Sequence, residues 1–256
     1  MKSLQYLWSA NQDPFHNLAI EDALLDRGDP VLFLYVNGPC VVIGKHQNPW
    51  RECDLEAMAA DGVPLVRRVS GGGAVYNDEQ NLNIAVFTER TSYRREAVAG
   101  LFIEVLAEFG VAAMVEGSSS LVADGRKISG QAFCYRRDTV LHHGTLLLDT
   151  DLERMDRYLR RSTGFETHAV ESVPAKVANL GLAIPELVAA FKGRSAGEID
   201  MPEIESAQLE RFESWEWTHG KTPRFKHGEE EIVHGRVTVS TDAKRVGQRF
   251  SVRPGR

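Results

Sequence analysis

The amino-acid sequence predicts an α+β fold of mixed, largely antiparallel sheets flanked by helices. Three observations predict it. Helical and strand-like patterns do not alternate in the regular order of a doubly wound sheet. Several apolar runs are joined by short turn signals, Asn37-Gly38-Pro39 and Asp124-Gly125 among them. No strand–GxGxxG–helix unit and no GxxxxGK[ST] loop is present, which argues against a dinucleotide-binding sheet and a P-loop protein.

Composition sets the outer limits. The chain has 256 residues, 43% hydrophobic and 26% charged, in the range of soluble globular proteins. That length fits one large domain, or one domain with a small appendage. A formal net charge of -6 argues against generic nucleic-acid binding. The end of the chain differs: nine Lys or Arg residues fall between Lys221 and Arg256, against Glu229, Glu230, Glu231 and Asp242. Such a segment is a solvated face or a surface that steers an acidic partner. No apolar run is long enough for a bilayer, and the first residues lack the apolar centre of a secretory signal. Cys40, Cys53 and Cys134 form neither a disulfide framework nor a zinc pattern. A cytoplasmic protein without membrane partners is expected.

Leu4 to Trp8 reads as a short strand. Asp13 or Asn11 caps a helix with Pro14 in its first turn, and Gly28 ends it. VLFLYV and CVVIG are buried strands around a turn, followed by the polar loop KHQNPW. Asp54 caps a short helix to Ala60, and Val63 to Val69 is a strand. Asn81 to Phe87 alternates, with Leu82, Ile84 and Val86 on one face and Asn81, Asn83 and Ala85 on the other. Tyr93 to Phe109 has the apolar stripe of a helix. Leu121 to Ala123, Lys127 to Tyr135 and Val140 to Leu148 are three close strands. Helices are expected at Leu152–Leu159, Pro185–Phe191 and Pro202–Trp215, the last with Pro202 at its start. EEIVHGRVTVS alternates like strand.

Two segments carry chemistry. RRVSGGGAVYNDEQNLNIAVF, from Arg67 to Phe87, enters as a strand, crosses Gly71, Gly72 and Gly73, and returns as a strand. Residues without Cβ let backbone N–H groups approach a ligand. Arg67 and Arg68 place cations at the mouth of the turn, and arginine grips phosphate or carboxylate through paired bonds. An anion site and a plain glycine-rich hairpin both fit. In DGRKISGQAFCYRRDTVLHHGTLLL, Lys127 follows a tight turn and lies close to Gly130. A lysine in a partly closed pocket can neutralise a carboxylate and a phosphate as they meet; a solvated strand residue is the plain alternative. His142 and His143 face opposite ways on a strand and make a poor metal pair.

RRVSGGGAVYNDEQNLN, DGRKISGQAF and HHGTLLLD, in that order, resemble the lipoate–protein ligase A family. PFHNLAIEDALL, PCVVIGKHQNPWREC, ESVPAKVANLG and SWEWTHGKTPRFKH extend the resemblance to about Phe225. It implies the α+β catalytic fold shared with biotin protein ligases and octanoyltransferases, here over 1–200, with a shortened accessory segment over 201–256. It implies activation of lipoate with ATP and Mg²⁺, then transfer from lipoyl-AMP to a lysine of a lipoyl-domain acceptor. That acceptor is a 2-oxoacid dehydrogenase E2 or the glycine-cleavage H protein. By motif, Lys127 is the catalytic lysine and Arg68 the arginine at the adenylate. Gly71, Gly72, Gly73 and Ala74 form the wall of the acyl tunnel and the phosphate turn. Asn81 lies beside the intermediate, Gly130 close to Lys127, and Ala132 and His143 on the opposite wall. No protein nucleophile is needed, since a mixed anhydride already acylates well; Val42 and Val75 line an apolar slot.

The sequence departs from the family at four places. Gly117, Ser118, Ser119 and Ser120 stand where many ligases read GRND, whose aspartate suits Mg²⁺ better than a hydroxyl. Asn77 replaces a histidine, Gln80 replaces a glycine, and the accessory part is short, which leaves room for a separate accessory chain. The alternatives are ATP-independent octanoyl transfer, in which Cys134 is read as a bystander thiol, and a non-catalytic lipoyl-binding protein.

Overall fold

A computed structural model describes residues 4–252. Arg253 and Arg256 of the basic segment lie outside the described residues. In chain order the first elements are β1 (Gln5–Ser9), α1 (Pro14–Arg27), β2 (Val31–Tyr35), β3 (Cys40–Ile43), α2 (Pro49–Glu52), α3 (Leu55–Ala60) and β4 (Leu65–Arg67). Next come β5 (Val75–Asn77), β6 (Asn81–Glu89), α4 (Arg95–Glu108), β7 (Met114–Glu116), β8 (Ser120–Ala123), β9 (Arg126–Arg136) and β10 (Thr139–Leu147). The remainder is α5 (Leu152–Tyr158), β11 (Phe165–Thr167), α6 (Ile184–Lys192), α7 (Ser206–Glu213), α8 (Trp215–Thr218), β12 (Phe225–His227), β13 (Glu230–Val233) and β14 (Arg236–Val239).

The chain divides into two compact units. The first comprises Met1–Pro39, Asn77–Asp151 and Pro174–Ser206; the second comprises Cys40–Tyr76, Leu152–Val173 and Ala207–Arg256.

The first unit is built on a seven-stranded sheet in the order β1-β2-β6-β10-β9-β8-β7. Only β1 and β2 pair in parallel; every other neighbour is antiparallel. Period-two alternation sorts its two faces. Leu82, Ile84, Val86 and Leu146 point into a core shared with Val98, Phe102 and Val105 of α4 and Phe191 of α6. Each such side chain contributes about 1.5–3 kcal/mol by leaving water. Helix α1 packs on β2, β6 and β10. Asp13 caps it by accepting from Phe15 N, and Gly28 closes it at φ 80°. Its buried polar residues are all anchored. Asn17 donates to Asn11 O and Asn37 Oδ1, and Asp22 accepts from Arg136.

The second unit holds a three-stranded sheet, β4-β3-β5, and a four-stranded one, β11-β12-β13-β14. Trp50 packs with Phe225, Ile232, Val237 and Phe250 in a small aromatic core. Phe225, Ile232, Val237 and Phe250 therefore share a core with Trp50 of α2, and Trp217 Nε1 donates to Arg67 O at 2.7 Å.

Several local expectations change. The run VLFLYVNGPCVVIG gives two buried strands around a turn as expected, but β2 and β3 do not pair and belong to different sheets. KHQNPW contains the start of helix α2, with Asn48 capping Trp50 N. Pro202 does not start a helix: α7 begins at Ser206, and Ser214 caps the separate α8. EEIVHGRVTVS forms strands as its alternation suggested, two of them, turned at His234 and Gly235, which both take positive φ. No helix among the described residues is long and apolar enough to cross a membrane.

Candidate functional site

In the second unit the glycine turn is folded around Arg68. Its Nε donates to Ser70 Oγ (3.0 Å) and Gly71 O (3.1 Å), Nη1 to Val42 O (3.1 Å), and Nη2 to Gly71 O (2.6 Å) and Gly73 O (2.7 Å). Charge-assisted bonds of this kind are about twice as strong as neutral ones. With its carbonyls turned onto a guanidinium, the loop closes. Gly72 takes φ 85°, where L side chains are strained. Gly44 meets the turn so closely that a Cβ there would lie 2.2 Å from Gly72 O. On the other side Ser172 Oγ accepts from Ala74 N (2.9 Å) and from Gln47 Nε2 (3.0 Å). Gly73 leaves room for Ser172, whose Oγ would lie 3.1 Å from an added Cβ.

Arg67 corrects the sequence expectation. It does not stand at the mouth of the turn but is fully buried. Consecutive strand residues face opposite ways, so Arg67 points away from Arg68 into the interior of the unit. Its guanidinium donates to Gly44 O, Lys45 O, Gln47 O, Thr218 O and Thr222 Oγ1. Burial lowers its pKa to about 10 and raises that of the neighbouring Cys53 thiol.

In the first unit the register of the large sheet aligns the other candidates. One row across β2, β6, β10 and β9 reads Tyr35, Asn83, Thr145, Gly130. The next reads Phe33, Ala85, His143, Ala132, and the third Val31, Phe87, Leu141, Cys134. Partners directly opposite in a ladder share a face, so Asn81, Gly130, Ala132 and His143 all lie on the face opposite α4. Lys127 joins them. A Cβ built on Gly130 would be 3.4 Å from Lys127 Cε and 3.5 Å from Nζ, so the ammonium arm lies across the bare glycine. Lys127 is held at both backbone atoms by the segment after the chain re-enters this unit: its N–H donates to Lys176 O, and its O accepts from Ala178 N. Burial lowers its pKa from the ordinary 10.5.

Asn81 is fully buried. Its Oδ1 accepts from Asp78 N at 2.7 Å, while Nδ2 has no protein partner. Asp78 in turn accepts from Gln80 N and Asp151 N. His143 is turned onto α1, with Nδ1 2.9 Å from Glu21 Oε1, and Tyr35 Oη donates to the same oxygen. His142 faces the α4 side, 3.2 Å from Tyr93 Oη, and burial lowers its pKa to about 3.

The sequence reading missed Ser172 and Gln47, which brace the glycine turn, and Glu21, which holds His143. Ser172 is 98 residues from Ala74, and no local pattern announces it. At the turn that carries serines in place of GRND, Ser119 O accepts from Gln131 N and Ser120 pairs with Gly130. Among the described residues no group of three or more His, Cys, Asp or Glu is placed to hold a metal ion.

Residues 13–207 match the model of the lipoyl protein ligase A/B catalytic domain. The chain is 37% identical over 261 residues to the lipoate-protein ligase A of Bdellovibrio bacteriovorus, covering 91% of this chain and 77% of that protein. Solved structures are similar in fold. P. falciparum LipL1 in complex with lipoate superposes with a TM-score of 0.75 at 24% identity, over 91% of this chain and 82% of that one. The bipartite lipoate protein ligase of Thermoplasma acidophilum, described with its E2 lipoyl domain, gives 0.68 at 22%, over 85% and 96%. A lipoate-protein ligase A bound with ATP gives 0.68 at 22%, over 84% and 98%.

Proposed function

This chain belongs to the lipoyl protein ligase A/B catalytic-domain family, and from that premise we propose that it is an ATP-dependent lipoate–protein ligase. The observation that carries the reading is Lys127 lying over Gly130, on the sheet face that also bears Asn81, Ala132 and His143. The lipoate carboxylate attacks the α-phosphorus of ATP, and pyrophosphate leaves. The acceptor lysine amine then attacks the acyl carbonyl, and AMP leaves. Both steps bring negative oxygens together, and a preorganised ammonium in a low-dielectric site lowers that cost.

In this reading Lys127 holds the carboxylate, the phosphoryl oxygen and the developing acyl oxyanion. Gly71, Gly72, Gly73 and Ala74 form a backbone wall, the Ala74 N–H being held by Ser172 Oγ, and Arg68 keeps that turn closed. Asn81 donates its unpartnered Nδ2 to the intermediate. Ala132 is small enough to leave an acyl slot, and His143, tied to Glu21, bounds it. Residues 201–256 act as a shortened accessory segment. The acceptors are lipoyl domains, with a dehydrogenase E2 or the H protein as the specific partners, and the location is cytoplasmic. The side chains at 117–120 do not fit a protein-held Mg²⁺ site, since hydroxyls are poor substitutes for carboxylates. Mg²⁺ would enter bound to the triphosphate, and no step here is routed through it.

The test is the intact mass of an apo lipoyl domain after incubation with this protein, lipoate and Mg-ATP. A lipoyl gain that requires ATP and disappears in Lys127→Ala is expected. A gain from an octanoyl carrier protein without ATP, abolished by Cys134→Ser, would replace the reading with the transferase. No gain with any acceptor, with an accessory chain supplied as well, would leave a binding protein.

A further inference from the structure

The face that carries Lys127 is chemically graded. The row Tyr35, Asn83, Thr145, Gly130 is polar, whereas the next two are mostly apolar, Phe33, Ala85 and Ala132 beside His143, then Val31, Phe87 and Leu141 beside Cys134. Lys127 Nζ lies over the Gly130 end of the polar row. An ionised acyl head group drawn to Lys127 falls on the polar row.

Asn83 is the unexplained member of that row. It is 7% exposed, the third residue of the interior strand β6. Thr145 Oγ1 donates to its Oδ1 at 2.9 Å, which fixes the rotation of the amide. Its Nδ2 is buried without a protein partner. A buried amide with one end pinned and the other unpaired costs about 1–3 kcal/mol. Asn81, about 7 Å away along the same strand and face, also leaves its Nδ2 unpaired.

We propose that Asn83 contacts the substrate: its Nδ2 donates to an oxygen of the acyl head group, with Thr145 as the positioning residue that aims it. The proposal rests on the ligase reading above and assigns it a second neutral donor beside Lys127. The donor serves the carboxylate of the free acid and the carbonyl oxygen of the adenylate alike, so it stays engaged through both half-reactions. It also favours acyl ligands with an oxygen at the head over hydrocarbon of equal length.

The experiment is equilibrium binding of lipoate, and of lipoate with its carboxyl group removed, to the full-length protein by titration calorimetry. Asn83→Ala is expected to weaken lipoate binding about tenfold and to leave the decarboxylated analogue within about twofold. Thr145→Val should reproduce the loss, and Thr145→Ser, which keeps the hydroxyl, should restore it. Asn83→Asp should be at least as damaging as Asn83→Ala, because a carboxylate would face a carboxylate. Equal loss for both ligands would overturn the proposal, as would unchanged lipoate binding in Asn83→Ala. So would wild-type affinity in Asn83→Asp, since the amide would then present its oxygen. The ligase reading is judged separately by the mass gain of a lipoyl domain with the wild-type protein, which none of these binding comparisons needs.

Discussion

Replacing Arg67 with methionine removes a cation while keeping most of its volume. Six hydrogen bonds disappear, to Gly44 O, Lys45 O, Gln47 O, twice to Thr218 O, and to Thr222 Oγ1. Their sum is not the cost, because burying the guanidinium in the native protein already carries a desolvation penalty. What remains after truncation is a set of buried carbonyls without donors, each costing about 1–3 kcal/mol where it cannot reach water. Some will relax or hydrate, so the expected loss is about 4 kcal/mol, within the range for breaking a buried charged network. For a chain of this size that is a fall in Tm of roughly 8–16 °C. Urea unfolding gives the first number and thermal unfolding the second. Amide exchange should accelerate in Gly44–Asn48 and in 215–222, which Arg67 ties together. A loss below about 1 kcal/mol with unchanged exchange would refute the structural role. Mg-ATP affinity of the folded variant should stay within about threefold; a collapse of ATP binding at full stability would put Arg67 back among the anion-binding groups.

Lys127→Ala should lower lipoyl transfer by about 10²–10³-fold, as removing a preorganised donor from an oxyanion does, with Tm unchanged in a thermal scan. Because burial depresses the lysine pKa, the alkaline limb of the rate profile should begin below the ordinary 10.5 of a free lysine. Between the two values the unfolded chain holds the extra proton, so this group's penalty on stability fades as pH rises through that window. Gly44→Ala should destabilise by at least about 3 kcal/mol, since the new methyl meets backbone rather than a movable side chain; denaturant midpoints check it. Arg68→Lys should fail to substitute, because one ammonium cannot serve Val42, Gly71 and Gly73 carbonyls at once, and a turnover loss of about tenfold or more is expected in the ligation assay. His219, stacked on Trp215 and held to about 4 by burial and by Arg67 and Arg249, binds its proton in the unfolded chain first. Stability should therefore fall as pH drops from 6.5 towards 4, by on the order of 3 kcal/mol at most from this group, and His219→Phe should flatten that part of a pH–denaturation curve.

What the sequence made legible was local. The Asp13 cap, Pro14 and Gly28 bound α1 because each acts on its own backbone. The alternation of Leu82, Ile84 and Val86 against Asn81, Asn83 and Ala85 is the two-faced geometry of β6. Asp124-Gly125 turned as expected, both residues with positive φ. Illegible features came from long-range closure. β2 and β3 separate into different sheets because their partners, β6 and β4, lie elsewhere in the chain. Pro202 carried a helix-start signal, but signals of that kind set a boundary only where an apolar face has something to pack on, and α7 buries Phe212 instead. At the site, Asn81, Gly130, Ala132 and His143 were legible through the resemblance of their motifs, and it is the register of β6, β10 and β9 that sets them on one face. Ser172 and Glu21 were not, since their partners are fixed by tertiary packing.

Arg67 and Arg68 show why residue type alone misassigns an anion site. The same dipeptide gives one guanidinium to a network of interior carbonyls and the other to the carbonyls of the glycine turn. The Nη hydrogens of Arg68 go to the Val42, Gly71 and Gly73 carbonyls, and its Nε–H is shared between Ser70 Oγ and Gly71 O, so its main contribution is the shape of the loop. Turning Gly71 O and Gly73 O onto the guanidinium directs the Gly72 and Ala74 N–H groups of the same peptides the other way, and Ala74 N–H meets Ser172 Oγ. In the proposed reaction the phosphate is then met by neutral backbone donors, and the mobile charge is supplied by Lys127, whose depressed pKa reflects incomplete solvation of its ammonium. That division suits a reaction whose two steps differ in leaving group but share one carbonyl: fixed dipoles recognise the nucleotide, and one preorganised ammonium serves the oxygen on which charge accumulates.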